Sequence, residues 1–226
     1  MGNLSEFLME ELNVATAFTI PIFGGIEVAE STVISWVIMA IIVILTLVLT
    51  RNMRVEKPGK LQVGVEYTVT ALQNLVRGII GHEGERYVPY LSTVLVFLGI
   101  SNIFAIFGMK PPTKDLNVTA ALALMSIILV QAASIRQNKV GGWLKGFTKP
   151  SKVITPLNVM ELAIRPLSLC MRLFGNVMGA FVVMKLLVPV ILPAVFSLYF
   201  DFFDGLLQAY VFVFLTGLYI KEAVEE

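Results

Sequence analysis

The sequence predicts an all-α, polytopic membrane protein with about five transmembrane segments, the last two forming a long, strongly tilted helical hairpin. Three observations carry this. The 226 residues are 57% hydrophobic and only 15% charged, with a mean hydropathy of +0.82, far outside the composition of a water-soluble domain. Apolar runs alternate with basic loops, and two late apolar stretches each bear polar residues at helical spacing. The formal net charge of +1, with the basic residues dispersed, excludes a nucleic-acid footprint. The single Cys170 excludes an intrachain disulfide and a thiolate metal cluster, and reads as packing in an apolar stretch. His82, in the loop GHEGERY, lacks a second imidazole and reads as a solvated loop residue.

Residues 1–30 carry Glu6, Glu10 and Glu11 and no Lys or Arg, so they lack the positive n-region of a cleavable signal. A retained, non-cytoplasmic N-terminal segment is expected, followed by one helical membrane domain over 31–226. Ser31 to Thr50 is uncharged and long enough for a first span, since about twenty helical residues cross a core of about 30 Å. Arg51, Arg54, Lys57 and Lys60 then form a basic cluster, which the positive-inside rule places in the cytoplasm. Between residues 61 and 80, Leu61, Val65, Val69, Leu72, Val76 and Ile79 recur at steps of three and four. This predicts an amphipathic helix, too polar to span, lying on lipid or against a partner.

A second span is expected from about Tyr87 to Met109, with Asn102 inside it as a hydrogen-bonding residue toward a neighbouring helix. Pro111 and Pro112 end it. A third span runs from about Val118 to Ser134 and leads to a second basic cluster, Arg136, Lys139, Lys145, Lys149 and Lys152. The fourth, 156–185, is some thirty residues long and must tilt to fit a bilayer. Pro189 and Pro193 favour a turn, and the fifth segment, 196–220, returns the KEAVEE terminus to the cytoplasm. The short link makes the last two segments antiparallel neighbours.

On the fourth segment, Glu161, Arg165, Ser168, Arg172, Asn176 and Gly179 fall within roughly 80° of one another. Arginine keeps its proton at any physiological pH. Its charge at bilayer depth costs from a few to over ten kcal/mol. Two readings stand. Arg165 pairs with Glu161 at i, i+4 and Arg172 snorkels to a headgroup, or the face is functional. On the fifth segment Asp201, Asp204 and Gln208 lie within roughly 60°. They are either end-of-helix charges in water or a second polar face, with Gln208 near Arg172. Lys185 reads as a snorkelling residue. GxxxxGK[ST] does not occur, so nucleotide chemistry is not expected on this chain.

The run RPLSLCMRLFGN, Arg165 to Asn176, resembles the signature of subunit a of the rotary F-type ATP synthases. PPTKDLNVTAALAL at Pro111 to Leu124, SNIFAIFG around Asn102 and LLQAYVFVFLTGLYI at Leu206 to Ile220 are similar to other parts of that family, so the likeness covers roughly residues 31 to 222. It implies a non-catalytic stator subunit in a bacterial plasma membrane, N-terminus outside and C-terminus cytoplasmic, with no cofactor and no metal. The implied partners are the c-ring subunits that the 156–221 hairpin would face, the peripheral-stalk b subunits, the rest of the synthase and lipid.

Carried over by position, Arg172 matches the arginine that faces the ring carboxylates, and Gln208 the polar position opposite it. Asn176 and Ser168 match flanking polar positions, and Asp201 stands where many members carry His or Glu. Phe181 departs from members that carry an acid nine residues after the arginine, leaving Asp201, with or without Asp204, to serve the relay. Arg165 becomes an anchor paired with Glu161. The resemblance implies two half-channels for H⁺ or Na⁺. A ring carboxylate would lose its ion beside Arg172, whose charge lowers its pKa by about one to three units. The arginine would also block direct passage between the channels. The driving force is about 2.3 kcal/mol per charge per 100 mV. The alternatives are a secondary transporter with an anion-binding arginine and a non-conducting assembly subunit; the first calls for internal repeats, and none is apparent.

Overall fold

The computed structural model describes residues 16–20, 26–51, 53–54, 59–104, 111–146, 155–187 and 198–225. Glu6, Glu10, Glu11, Lys57, Lys149, Lys152 and the proline link at 189–193 lie outside them. The chain enters through an antiparallel ribbon, β1 (Thr16–Ile20) and β2 (Ile26–Ala29), which pairs Phe18 with Val28 and Thr19 with Glu27. No strand is expected here from hydropathy and charge. TAFTI and IEVA flanking Gly24-Gly25 are the signal for it, two short β-prone runs around a glycine pair.

β2 runs directly into α1 (Glu30–Thr50), whose only buried residues are Ser35 and Ile38. A helix this apolar and this exposed needs a non-aqueous surround. α2 (Lys60–Ile80) is the amphipathic helix; Val76, Ile79 and Ile80 bury its last turns while Leu61 and Tyr67 are exposed. It stops at Gly81, whose φ of 77° is one that glycine adopts freely, and whose N–H bonds Arg77 O at 2.9 Å.

α3 (Val88–Ile103) starts with Pro89 in its first turn, where no ladder bond is lost, and residues 105–109 of the expected 87–109 span lie outside the described residues. α4 (Leu116–Gly146) is longer than the predicted 118–134. Gln131, Arg136 and Gln137 are good helix formers, so the helix runs on through the basic stretch. It kinks at Lys139, where φ is 56°, and across the kink Trp143 Nε1 donates to Gln131 Oε1 at 2.9 Å.

α5 (Thr155–Leu187) has 33 residues, a length of about 50 Å, with Pro166 inside it. A π-helical stretch, Leu198–Asp204, leads into α6 (Gly205–Glu225). Among the described residues three stretches are long and apolar enough to cross a membrane: Glu30–Thr50, Leu116–Trp143 and Phe202–Val224. The all-α membrane architecture therefore stands, while a count of five rests on α3, with only 16 residues, and on α5, which carries Glu161, Arg165, Arg172 and Lys185.

Leu91 and Leu98 of α3, Val130 of α4, Leu169 and Leu173 of α5, and Phe212 and Val213 of α6 close the core. Lipid tails are as apolar as these side chains, so fit rather than water exclusion holds such a core together. Gly217 shows how close the fit is: a Cβ there would meet Ile79 Cγ2 at 2.9 Å, so this glycine lets α2 pack on α6.

Candidate functional site

Leu169, Cys170 and Leu173 point α5 into the core, where Cys170 Sγ lies 3.5 Å from Thr119 Oγ1. The helical period then turns Ser168 and Arg172 outward, and both are exposed. Arg172 enters no ion pair among the described residues. One turn further, Asn176 reaches across to α6. Its Nδ2 donates to Asp204 Oδ2 at 2.8 Å and lies 3.3 Å from Gln208 Oε1. Gln208 is 6% exposed, and its Nε2 is a buried donor with no partner among the described residues. Asn176, Asp204 and Gln208 are therefore together, with Arg172 and Ser168 one and two turns away along α5. The side chains of Asp201 and Phe181 lie outside the described residues.

The π-helical stretch changes one sequence expectation. Asp201 and Asp204 sit in i→i+5 winding, so the α-helical angle drawn between them and Gln208 does not apply. What fixes Asp204 is its neighbour. Asn102, at the end of α3, donates its Nδ2 to Gly205 O at 2.8 Å, and a Cβ on Gly205 would lie 2.8 Å from Asn102 Cβ. Asn102 Oδ1 accepts from Thr113 Oγ1 at 3.0 Å, and both residues are buried. Beside them the buried Asp115 caps α4, accepting from the Asn117 N–H at 2.8 Å and from Ser31 Oγ of α1. The starts of α1, α4 and α6 and the end of α3 thus meet in one polar joint.

At the other end of the pair, Arg165 Nη2 lies 3.2 Å from Glu161 Oε1 and 2.9 Å from Glu222 Oε1, with its guanidinium 4.8 Å from the Tyr219 ring centroid. Glu222 and Tyr219 are absent from the sequence expectations. The signal for them was available: helix period continues past Ile220, so KEAVE is helix rather than tail. Arg165 faces Glu222 and Asn176 faces Asp204, so numbers rise on α5 as they fall on α6, and the two helices are antiparallel. No group of three His, Cys, Asp or Glu among the described residues could hold a metal ion.

Chemically, this is a fixed cation on an outward helix face beside a carboxylate and two amides. A guanidinium donates hydrogen bonds and accepts none, so this group can attract an anion from outside the chain.

A family model described as ATP synthase A chain matches residues 32–221. ATP synthase subunit a of Moorella thermoacetica is 37% identical over 205 residues, which cover 89% of this chain and 93% of that protein. ATP synthase subunit a 1 of Hahella chejuensis is 33% identical over 206 residues, 90% of this chain and 87% of the relative. The subunit a of Propionigenium modestum described as sodium ion specific is 31% identical over 219 residues, 88% of this chain and 75% of the relative.

Proposed function

The chain belongs to the ATP synthase A chain family, and on that premise we propose that it is the stator subunit whose α5–α6 pair carries H⁺ or Na⁺ past a ring of carboxylate-bearing c subunits. The observation that carries this reading is the placement of Arg172. It is exposed on the outer face of α5, one turn from the Asn176–Asp204–Gln208 cluster. A ring carboxylate in lipid keeps its proton or cation because isolated charge there is costly. Beside Arg172 the charged form is favoured, and the ion leaves.

Asp204, held by Asn176, offers the polar step between that carboxylate and one side of the membrane, with Asp201 and Ser168 further along the two half-channels. The guanidinium separates the half-channels because it cannot relay a proton. α5 and α6 tilt across the bilayer with the ring against them, the N-terminal ribbon outside and the end of α6 in the cytoplasm of a bacterial cell. Peripheral-stalk b subunits hold the assembly. Glu161 and Arg165 anchor the hairpin. Family membership supports this role over the transporter and the assembly subunit, which no observation favours.

The test is H⁺ and Na⁺ flux through the reconstituted membrane sector. Arg172→Ala is expected to abolish coupled flux of whichever ion the parent carries, in a complex that still assembles. Intact coupled flux in that variant overturns the proposal, and intact flux with weakened complex formation points to the assembly role instead.

A further inference from the structure

The α5–α6 pair is tied at two places, and Arg172 lies between them. At one end Asn176 bonds Asp204; at the other Arg165 bonds Glu222. The two α5 residues are eleven apart, about 17 Å along the helix, with Arg172 about 10 Å from one tie and 6 Å from the other. The middle is apolar: Leu169 and Leu173 of α5 and Phe212 and Val213 of α6 are all buried. Burial of this apolar face turns α5 toward the core, but apolar attraction is itself non-directional. Hydrogen bonds and ion pairs hold a defined distance and angle. The ties therefore add the directional constraint on the register of α5 on α6.

We infer that Arg165 is a positioning residue for Arg172: by bridging Glu161 on its own helix to Glu222 on α6, it locks the axial and rotational setting of α5 that presents Arg172 outward. This rests on the function proposed above. The geometry suits the task. One guanidinium nitrogen reaches both carboxylates, at 3.2 and 2.9 Å, and the Tyr219 ring lies against the group at 4.8 Å, fixing its plane. The Arg165 side chain is only 17% exposed, against 49% for Glu222, so the cation is better shielded from screening than a surface pair. Glu161 alone could not do this. An i, i+4 bond within α5 holds the side chain but says nothing about α6.

The experiment uses the complete synthase in sealed vesicles and compares ions pumped per ATP hydrolysed with the amount of this subunit in the complex. Arg165→Gln and Glu222→Gln are expected to assemble at the parent level yet pump about threefold less per ATP, the ratio a partly screened ion pair corresponds to. Arg165→Lys is expected to fall between them and the parent, since an ammonium keeps the charge but not the planar fork. The double variant Arg165→Glu/Glu222→Arg, in which the charges change helices, is expected to recover most of the coupling. Should Arg165→Gln fail to accumulate, Glu222→Gln carries the test, since it leaves Arg165 and Glu161 in place. Parent-level coupling in Glu222→Gln, or a double variant no better than Arg165→Gln, overturns the inference. Arg172→Ala, run alongside, separates the two questions: if it still couples, the proposed function fails, and if it does not while the Arg165 and Glu222 variants behave as the parent, only the positioning role fails.

Discussion

Asn176 on α5 donates a 2.8 Å hydrogen bond to Asp204, 28 residues away at the junction of the π-helical stretch with α6. The same amide group lies 3.3 Å from Gln208 Oε1, so one donor serves acceptors on two successive turns of the facing helix. It is the contact that joins the two polar faces one turn from Arg172.

Removing that donor leaves the Asp204 carboxylate and the buried Gln208 carbonyl unpaired. Leaving a buried polar group unsatisfied costs about 1–3 kcal/mol. Asn176→Leu is therefore expected to lower ion flux through the reconstituted sector by about tenfold, the rate equivalent of about 1.4 kcal/mol. Flux at the parent rate would show that the cluster is not on the ion path.

Asp204→Asn keeps an oxygen for Asn176 to bond but removes the charge. It is expected to assemble like the parent while slowing flux by about tenfold, and Asp204→Leu, which loses the acceptor as well, to slow it further. Equal, parent-like flux in both variants would leave the acidic role to Asp201.

A methyl group on Gly205 would lie 2.8 Å from Asn102 Cβ, while one on Gly64 meets nothing within 4 Å. Gly205→Ala is expected to destabilise the polar joint by about 1–3 kcal/mol through overpacking. Gly64→Ala, in the exposed half of α2, should be neutral or stabilising by up to about 1 kcal/mol. Thermal denaturation of the purified complex, followed by loss of this subunit, compares the two; equal midpoints would refute the close approach at Gly205.

Arg77 and Glu85 form an ion pair at 3.1 Å, but their side chains are 46% and 62% exposed. Such a pair contributes between zero and about 1 kcal/mol. Arg77→Ala is expected to leave coupled flux and its salt dependence unchanged, and a marked loss of flux would mean that the turn after α2 takes part in the ion path.

Much of the framework was legible because it depends on local pattern. The uncharged run at 31–50 and the 3,4-spaced apolar residues at 61–80 declare α1 and α2, since neither needs a distant partner to be recognised. Helix ends were less legible. The extension of α6 to Glu225 crosses from apolar into charged sequence, where composition changes but helix propensity does not, and α4 runs on past its kink at Lys139 to Gly146 in spite of Gly141 and Gly142. The π-helical winding of 198–204 left no periodic signal in so short a segment.

By itself the sequence determined the class of the protein, the faces of its helices and the presence of two arginines on one face of α5, because hydropathy and helical period are properties of neighbouring residues. By helical period alone Arg165 and Arg172 were equivalent, about 20° apart on the same helix, and it was the family resemblance that made Arg165 an anchor paired with Glu161. Only the tertiary structure supplied its partner on another helix. Glu222, 57 residues from Arg165, engages it from α6, while the burial of Leu169, Cys170 and Leu173 leaves Arg172 exposed one turn from the Asn176–Asp204 bond. A charge's partner is set by which helices pack and in what register, and that is decided by long-range fit among side chains that no local period records.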